Sequence, residues 1–166
     1  MVNFRRALRH LPLSHRHVRR LFSKKSLQRI EAAINEGKTA HVGEICFVVE
    51  GALTGMHLMA GQTARERAIV LFSELRVWDT EHNNGVLIYL LLADRAVEIV
   101  ADRGISAKIP QIAWEQICRD MEAAFRDADY VEGVVAGIRA VARHLTQTFP
   151  AQIMGENELS AEPVVL

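Results

Sequence analysis

The sequence predicts an α/β class fold, a three-layer α/β/α sandwich around a small mixed sheet that contains a β-hairpin. Three observations predict it. Two short apolar runs, Glu44 to Glu50 and Val86 to Leu92, flank a well-capped helical segment, the arrangement of a strand-helix-strand crossover. A third run, Ala96 to Ala101, follows after only Ala93-Asp94-Arg95, a hairpin-length connection. Helical patterns before and after this unit supply apolar faces for both sides of the sheet.

The elements follow in order. Phe4, Ala7, Leu8 and Leu11 recur at helical spacing beside Arg5, Arg6 and Arg9, and Pro12 should end that short helix. Ser23 can cap a helix through Leu27, Ile30, Ala33 and Ile34 that stops near Gly37. Glu44 to Glu50 is β-branched and apolar, as in a strand buried on both faces. Residues 51–61, with Gly51, Gly55 and Gly61, read as a loop. Thr63 and Glu66 form a capping box that opens a helix through Ala64, Ala68, Leu71, Phe72 and Leu75. After the hairpin, Pro110 precedes a helix through Ile117, Met121 and Phe125. A second capping box, Asp129 with Glu132, launches a last helix that Pro150 stops. Residues 1–21 therefore read as a basic N-terminal arm or helix, 22–150 as the α/β/α body, and 151–166 as an acidic flexible tail.

With 166 residues, 49% of them hydrophobic, and only four prolines, the chain can bury one core and does not belong to the low-complexity or disordered classes. Its longest apolar run, Val86 to Ala93, is far shorter than the roughly 20 residues of a membrane-spanning helix. The start lacks the apolar centre of a secretory signal, so a cytoplasmic protein is expected, peripheral to a membrane if the arm engages one. An Arg-rich, acid-free start is also the composition of an organelle transit peptide. Cys46 and Cys118 stand alone among apolar neighbours and read as buried free thiols.

The formal charge is zero, yet nine of the 20 basic residues lie in residues 1–30, and the first acid is Glu31. Three readings fit this arm. Arg5, Arg6, Arg9, Arg16, Arg19 and Arg20 could contact an anionic membrane surface or an acidic protein. They could neutralise nucleic-acid phosphates, although the arm offers no Tyr or Trp to stack on bases. Or the arm could pack against the acidic body of its own chain.

The densest polar cluster is Trp78 to Gly85. In an antiparallel hairpin the start of the first strand and the end of the second share one edge, so Asn83 and Asn84 should lie near Asp102-Arg103-Gly104. Asp79, Glu81, Asn83, Asn84 and Asp102 offer oxygens, which suit calcium or magnesium better than zinc. The other reading is structural: Asn-Asn-Gly is a turn signal, and Asp79 could bond backbone amides. Asp127 and Asp129 are lesser candidates, since capping accounts for Asp129. No phosphate loop with Lys, His-Glu-x-x-His, Cys-x-x-Cys or Gly-x-Ser-x-Gly pattern is present. His10, His15 and His17 read as part of the solvated arm, and His41, His57, His82 and His144 as single structural histidines.

The stretch from Asn83 to Ile105 resembles the signature region of the TPM-domain family, which includes thylakoid-lumen photosystem II repair proteins and bacterial TPM domain-containing proteins. An Asn-Asn-Gly turn feeds an apolar strand, Asp94-Arg95 sits in the turn, and a Gly-containing edge loop follows. The resemblance extends more weakly over Phe22 to Phe149. It implies an α/β/α sandwich with an acidic, divalent-metal-binding edge and, for some members, acid phosphatase activity. This chain departs from the pattern: Val18-Arg-Arg-Leu-Phe-Ser23 replaces an acidic segment, Asn83 replaces a common Asp, and Asp102-Arg-Gly replaces a Gly-Tyr-Gly type edge. Each lost carboxylate weakens a hard-cation site, and each nearby Arg opposes one. The favoured expectation is a non-catalytic binding module whose basic arm contacts a membrane surface or acidic protein, with a weak divalent-cation site. The alternative is a divalent-metal-dependent acid phosphatase in which Arg103 holds phosphate.

Overall fold

The computed structural model describes residues 4–10, 15–151 and 158–166. The elements in chain order are α1 (Phe4–His10), α2 (His15–Leu21), α3 (Lys24–Gly37), β1 (Glu44–Glu50), α4 (Gly55–Met59), α5 (Ala64–Glu74), β2 (Gly85–Leu91), β3 (Ala96–Ala101), α6 (Arg103–Ser106), α7 (Gln111–Arg126), α8 (Tyr130–Thr148) and β4 (Val164–Val165). Leu11, Pro12 and Glu156 lie outside the described residues, as do the side chains of Phe4, Arg5, His15 and Arg16.

The sheet is mixed, in the order β3-β2-β1-β4. β1 and β2 are parallel, from Glu44 opposite Gly85 to Glu50 opposite Leu91, and α5 provides the crossover. β2 and β3 form the expected antiparallel hairpin, in register from Val86 with Ala101 to Leu91 with Ala96. Alternation sorts the strand side chains. Ile45, Phe47, Val49, Val86, Ile88, Leu90, Val97 and Ile99 pack against α3, α7 and α8, with Val18 and Phe22 sealing one end. Cys46, Val48, Leu87, Tyr89, Leu91 and Val100 pack against α5. The result is the α/β/α sandwich that the sequence predicts.

Local signals explain the boundaries. The Ser23 hydroxyl accepts from the Ser26 N–H and starts α3. Thr63 and Glu66 close the capping box of α5 in both directions. The box expected at Asp129 is absent. That residue holds φ −87° and ψ 55° with no side-chain cap bond, and Glu132 instead pairs with Arg29 of α3.

Three further expectations are corrected. Residues 51–61 are not all loop, because Gly55–Met59 makes one helical turn. The tail is not featureless: Val164 and Val165 pair with Val48 and Val49, and Ala161 is buried. Leu166 donates its N–H to the Val49 carbonyl and accepts from Gly51. At the opposite edge of the sheet, side chains take the place of a strand. The Val97 N–H donates to Glu122, and Arg65 donates to the Ile99 carbonyl.

The third correction concerns the arm. Val18 in α2 is fully buried, so the body begins before residue 22. His10 is buried rather than solvated: its Nδ1 accepts from the Leu53 N–H at 3.1 Å and its Nε2 lies 3.2 Å from Asp94. Arg6 adds two donors to Asp94, at 2.9 and 2.7 Å. The hairpin turn thus anchors α1 through one carboxylate. Burial opposes its charge, but the hydrogen bonds from Arg6 and His10 and the charge of Arg6 outweigh that and hold the Asp94 carboxyl below its ordinary value of 3.8.

A carboxyl so lowered contributes stability that is present above its unfolded value and is lost as the pH falls through its folded value. Docking of α1 is therefore expected to persist at neutral pH and weaken below about pH 3.8. Asp94→Ala should speed amide exchange of the described α1 residues at least tenfold at pH 7, since bonds to a charged group contribute about 1.5–3 kcal/mol. Unchanged exchange in that variant refutes the anchor.

Candidate functional site

The edge formed by the starts of β1 and β2 and the end of β3 is built around two glycines. At Gly85 a Cβ would lie 1.9 Å from the Val77 carbonyl oxygen, and at Gly104 one would lie 2.6 Å from that of Asn83. Backbone packs directly on backbone at both places. The Thr80 hydroxyl accepts from the Asn84 N–H, and Thr80 is itself buried. Asn83 adopts φ +50°, the left-handed conformation that Asn tolerates in turns. Its carbonyl accepts from the Gly104 N–H at 3.1 Å, while the Asp102 N–H donates to Gly85 at 2.9 Å. The juxtaposition of Asn83 and Asn84 with Asp102-Arg103-Gly104, expected from topology alone, is therefore present.

The side chains do not converge as the backbone does. Asn84 is 3% exposed and donates its amide to the Val42 carbonyl, leaving Oδ1 without a partner. Asp102 is 6% exposed; Oδ1 accepts from the Arg103 N–H at 2.6 Å, and Oδ2 has no partner. Extending the hairpin register by one residue sets Gly85 opposite Asp102, so Asn84 faces the other side of the sheet. Asp79, Glu81, Asn83 and Arg103 are exposed.

Sequence reasoning missed two neighbouring acids. The Glu158 carboxylate accepts from the Glu81 N–H at 3.0 and 3.2 Å, and the Glu44 carboxylate accepts from the Glu158 N–H at 3.4 Å. Burial raises the Glu44 pKa above its ordinary value, although hydrogen bonds from the tail oppose this. Glu44 was legible only as a strand end, and Glu158 is brought in from 77 residues away.

These donors do not fit a resident divalent cation. Calcium takes six to eight oxygens and magnesium a near-octahedral set. The edge fixes two unpartnered oxygens, on opposite faces, and among the described residues no three His, Cys, Asp or Glu side chains gather closely enough to hold a metal. Millimolar calcium or magnesium is accordingly expected to move the melting temperature by less than about 1 °C. A rise of several degrees that Asp102→Ala abolishes would overturn this.

The hydroxyl nearest Arg103 in sequence, that of Ser106, donates to the Ala101 carbonyl. Both cysteines are free, and burial pushes the Cys46 thiol up to about 11 and, with help from the Glu98 and Glu122 charges, Cys118 up to about 12. They are inert thiols. His41 is 3% exposed with both ring nitrogens unpartnered, and burial lowers its pKa, as for a neutral core histidine.

On the arm, Arg6 is committed to Asp94, whereas Arg9, Arg19 and Arg20 are exposed. No helix of the described residues is long and apolar enough to cross a membrane.

The fold has known counterparts. It is similar to the NMR structure of the BA42 protein from the psychrophilic bacterium Bizionia argentinensis, at 23% identity and a TM-score of 0.77, covering 87% of this chain and 95% of that one. It is also similar to the solution structure of the N-terminal domain of a protein from P. gingivalis, at 22% identity and a TM-score of 0.63, covering 76% and 78% of the two chains. No curated protein matches. The family model of the TPM domain matches residues 18–144, from buried Val18 through the glycine-built edge to the last turns of α8. With that span and this sandwich, the chain belongs to the TPM domain family.

Proposed function

We propose that this TPM domain is a non-catalytic binding module whose N-terminal helices dock it on an anionic membrane surface. One observation carries the reading. Arg19, Arg20, Lys24 and Lys25 crowd the exposed corner where α2 meets α3, and among the described residues none of them is within ion-pair distance of a carboxylate. The same chain pairs Arg6, Arg29, Arg65, Arg67 and Arg139 with its own acids. Four adjacent cations without an ion pair among the described residues keep a concentrated field for an external anion. Exposed Leu8 on α1 adds apolar surface to the same N-terminal region, which favours a lipid interface over an acidic protein.

The metal-dependent acid phosphatase alternative needs a cation to neutralise charge developing on phosphate, and among the described residues no three His, Cys, Asp or Glu side chains gather to hold one. The test is co-sedimentation of the full chain with vesicles containing phosphatidylserine or only phosphatidylcholine. Binding should be confined to the anionic vesicles and screened by added salt. Each basic residue near the headgroups contributes about 1 kcal/mol, so replacing these four by alanine should weaken binding tenfold or more. Absence of binding to anionic vesicles overturns the membrane reading and leaves an acidic protein as the partner for the same charges.

A further inference from the structure

The most exposed large apolar side chains among the described residues are two methionines on a single helical turn. Met56 is 80% exposed and Met59 is 75% exposed, and their spacing in α4 puts them on one face of it. α4 buries none of its residues. Thr54, Gly55, Ala60 and Gly61 beside them are exposed as well, and from residue 51 to residue 64 the chain holds no Lys, Arg, Asp or Glu. The tip is also largely closed on itself in its main chain. The carbonyls of Thr54, Met56, His57 and Leu58 accept from the N–H groups of Leu58, Ala60, Gln62 and Gly61. Those carbonyls need no water to satisfy them, which lowers the cost of moving the tip into the interfacial layer of a bilayer.

The position of α4 supplies the charge that the tip lacks. It follows β1 at the carboxyl end of the parallel strands, where Glu50 and Gly51 accept from the Leu92 and Ala93 N–H groups and the Leu53 N–H donates to His10 of α1. α2 lies at the same end, since its His17 and Leu21 share a cleft with Arg9 of α1 and with Leu92 and Arg95. Arg9, Arg19, Arg20 and Arg95 are exposed on these elements. Exposed cations and an acid-free apolar projection at one end of the molecule are the two components of an interfacial anchor, which joins attraction to anionic headgroups with burial of apolar side chains. A stable protein interface buries about 800 Å² on each partner, far more than two methionines offer. We propose that Met56 and Met59 insert into the bilayer as the apolar anchor of the docked domain. This rests on the anionic-surface docking proposed above and adds to it a contribution that salt does not screen.

The full chain, isotope-labelled at its methionine methyl groups, is bound to nanodiscs of phosphatidylcholine and phosphatidylserine that carry a nitroxide on the lipid acyl chain. The Met56 and Met59 methyl signals should broaden beyond detection, while that of Met121, 1% exposed in the core, persists. Met56→Ser combined with Met59→Ser alters only these exposed side chains, and an unchanged urea midpoint confirms the fold. Burying one methionine side chain contributes about tenfold in affinity or more. In co-sedimentation the double variant should therefore bind anionic vesicles at least tenfold more weakly with the same salt dependence, whereas replacing Arg19, Arg20, Lys24 and Lys25 flattens the salt dependence.

Undiminished Met56 and Met59 signals, or unchanged affinity in the double variant, overturns insertion and leaves docking by the cations standing. Self-association of the free chain that the double variant abolishes would assign the two methionines to a second copy and overturn it as well. If the unsubstituted chain does not bind anionic vesicles at all, docking and insertion fall together.

Discussion

Gly85→Ala is expected to destabilise the protein by at least about 3 kcal/mol, the upper end of the range for overpacking a well-filled interior. The added methyl would lie 1.9 Å from the Val77 carbonyl oxygen and 3.0 Å from its carbon. No rotamer change can relieve that contact, because the obstacle is main chain. Either β2 shifts away from β1, losing the pairing of Gly85 with Glu44, or the segment after α5 moves and uncovers the sheet. Against a total stability of roughly 5–15 kcal/mol, such a loss is a large fraction. Urea unfolding measures it, with Gly55→Ala as the control. A Cβ at Gly55 meets nothing within 4 Å, so that change should be neutral or slightly stabilising. A loss below about 1 kcal/mol for Gly85→Ala would show that the Val77 segment yields easily.

The second large effect concerns Glu50, 5% exposed at the end of β1. Its carboxylate accepts from the Tyr89 hydroxyl at 2.7 Å and from Arg67 at 3.0 and 3.4 Å, so one side chain ties β1, β2 and α5 together. Burial, followed by the hydrogen bond to Glu50 and then its charge, raises the Tyr89 pKa well above the ordinary phenol value, so Tyr89 remains a donor at every working pH. Glu50→Ala strands the Arg67 charge and the Tyr89 hydroxyl in the interior. Breaking a buried pair from one side costs about 3–5 kcal/mol. Glu50→Gln keeps an acceptor for both donors and should lose substantially less. Equal losses in the two variants would mean that the charge, rather than the hydrogen-bonding oxygen, is what the site requires. Denaturant midpoints at pH 7 decide it.

The sheet was legible because its strands obey simple patterns. β1 and β2 are continuous apolar runs, as strands covered on both faces must be, and the three-residue gap before β3 left only a hairpin. The Thr63 cap was legible for the same reason, since both bonds are local to four residues. What failed depended on distant partners. Glu132 forms no capping box because Arg29, on another helix, takes its carboxylate. His10 was placed in solvent by its basic neighbours, yet Leu53 and Asp94 satisfy both ring nitrogens in the interior. A single helical turn at Gly55–Met59 and a two-residue strand at Val164–Val165 are too short to carry a period.

The candidate edge was half legible. Topology brought the backbones of Asn83 and Asp102 together, but strand alternation turned Asn84 and Asp102 apart, and Glu158 came from the far end of the chain. The exposed tip of α4 had no signal in the sequence, because three glycines marked residues 51–61 as loop and the exposure of Met56 and Met59 depends on what the rest of the chain leaves uncovered.

The two margins of the sheet are partly covered by different means: β4 pairs with Val48 and Val49 of β1, while Glu122 and Arg65 occupy a donor and an acceptor of β3. An open strand margin invites another chain to add itself and begin a fibril. The last nine residues, which read as an appendage, occupy main-chain groups of Val49 and Gly51 on that margin, and removing them is expected to become visible first as concentration-dependent precipitation.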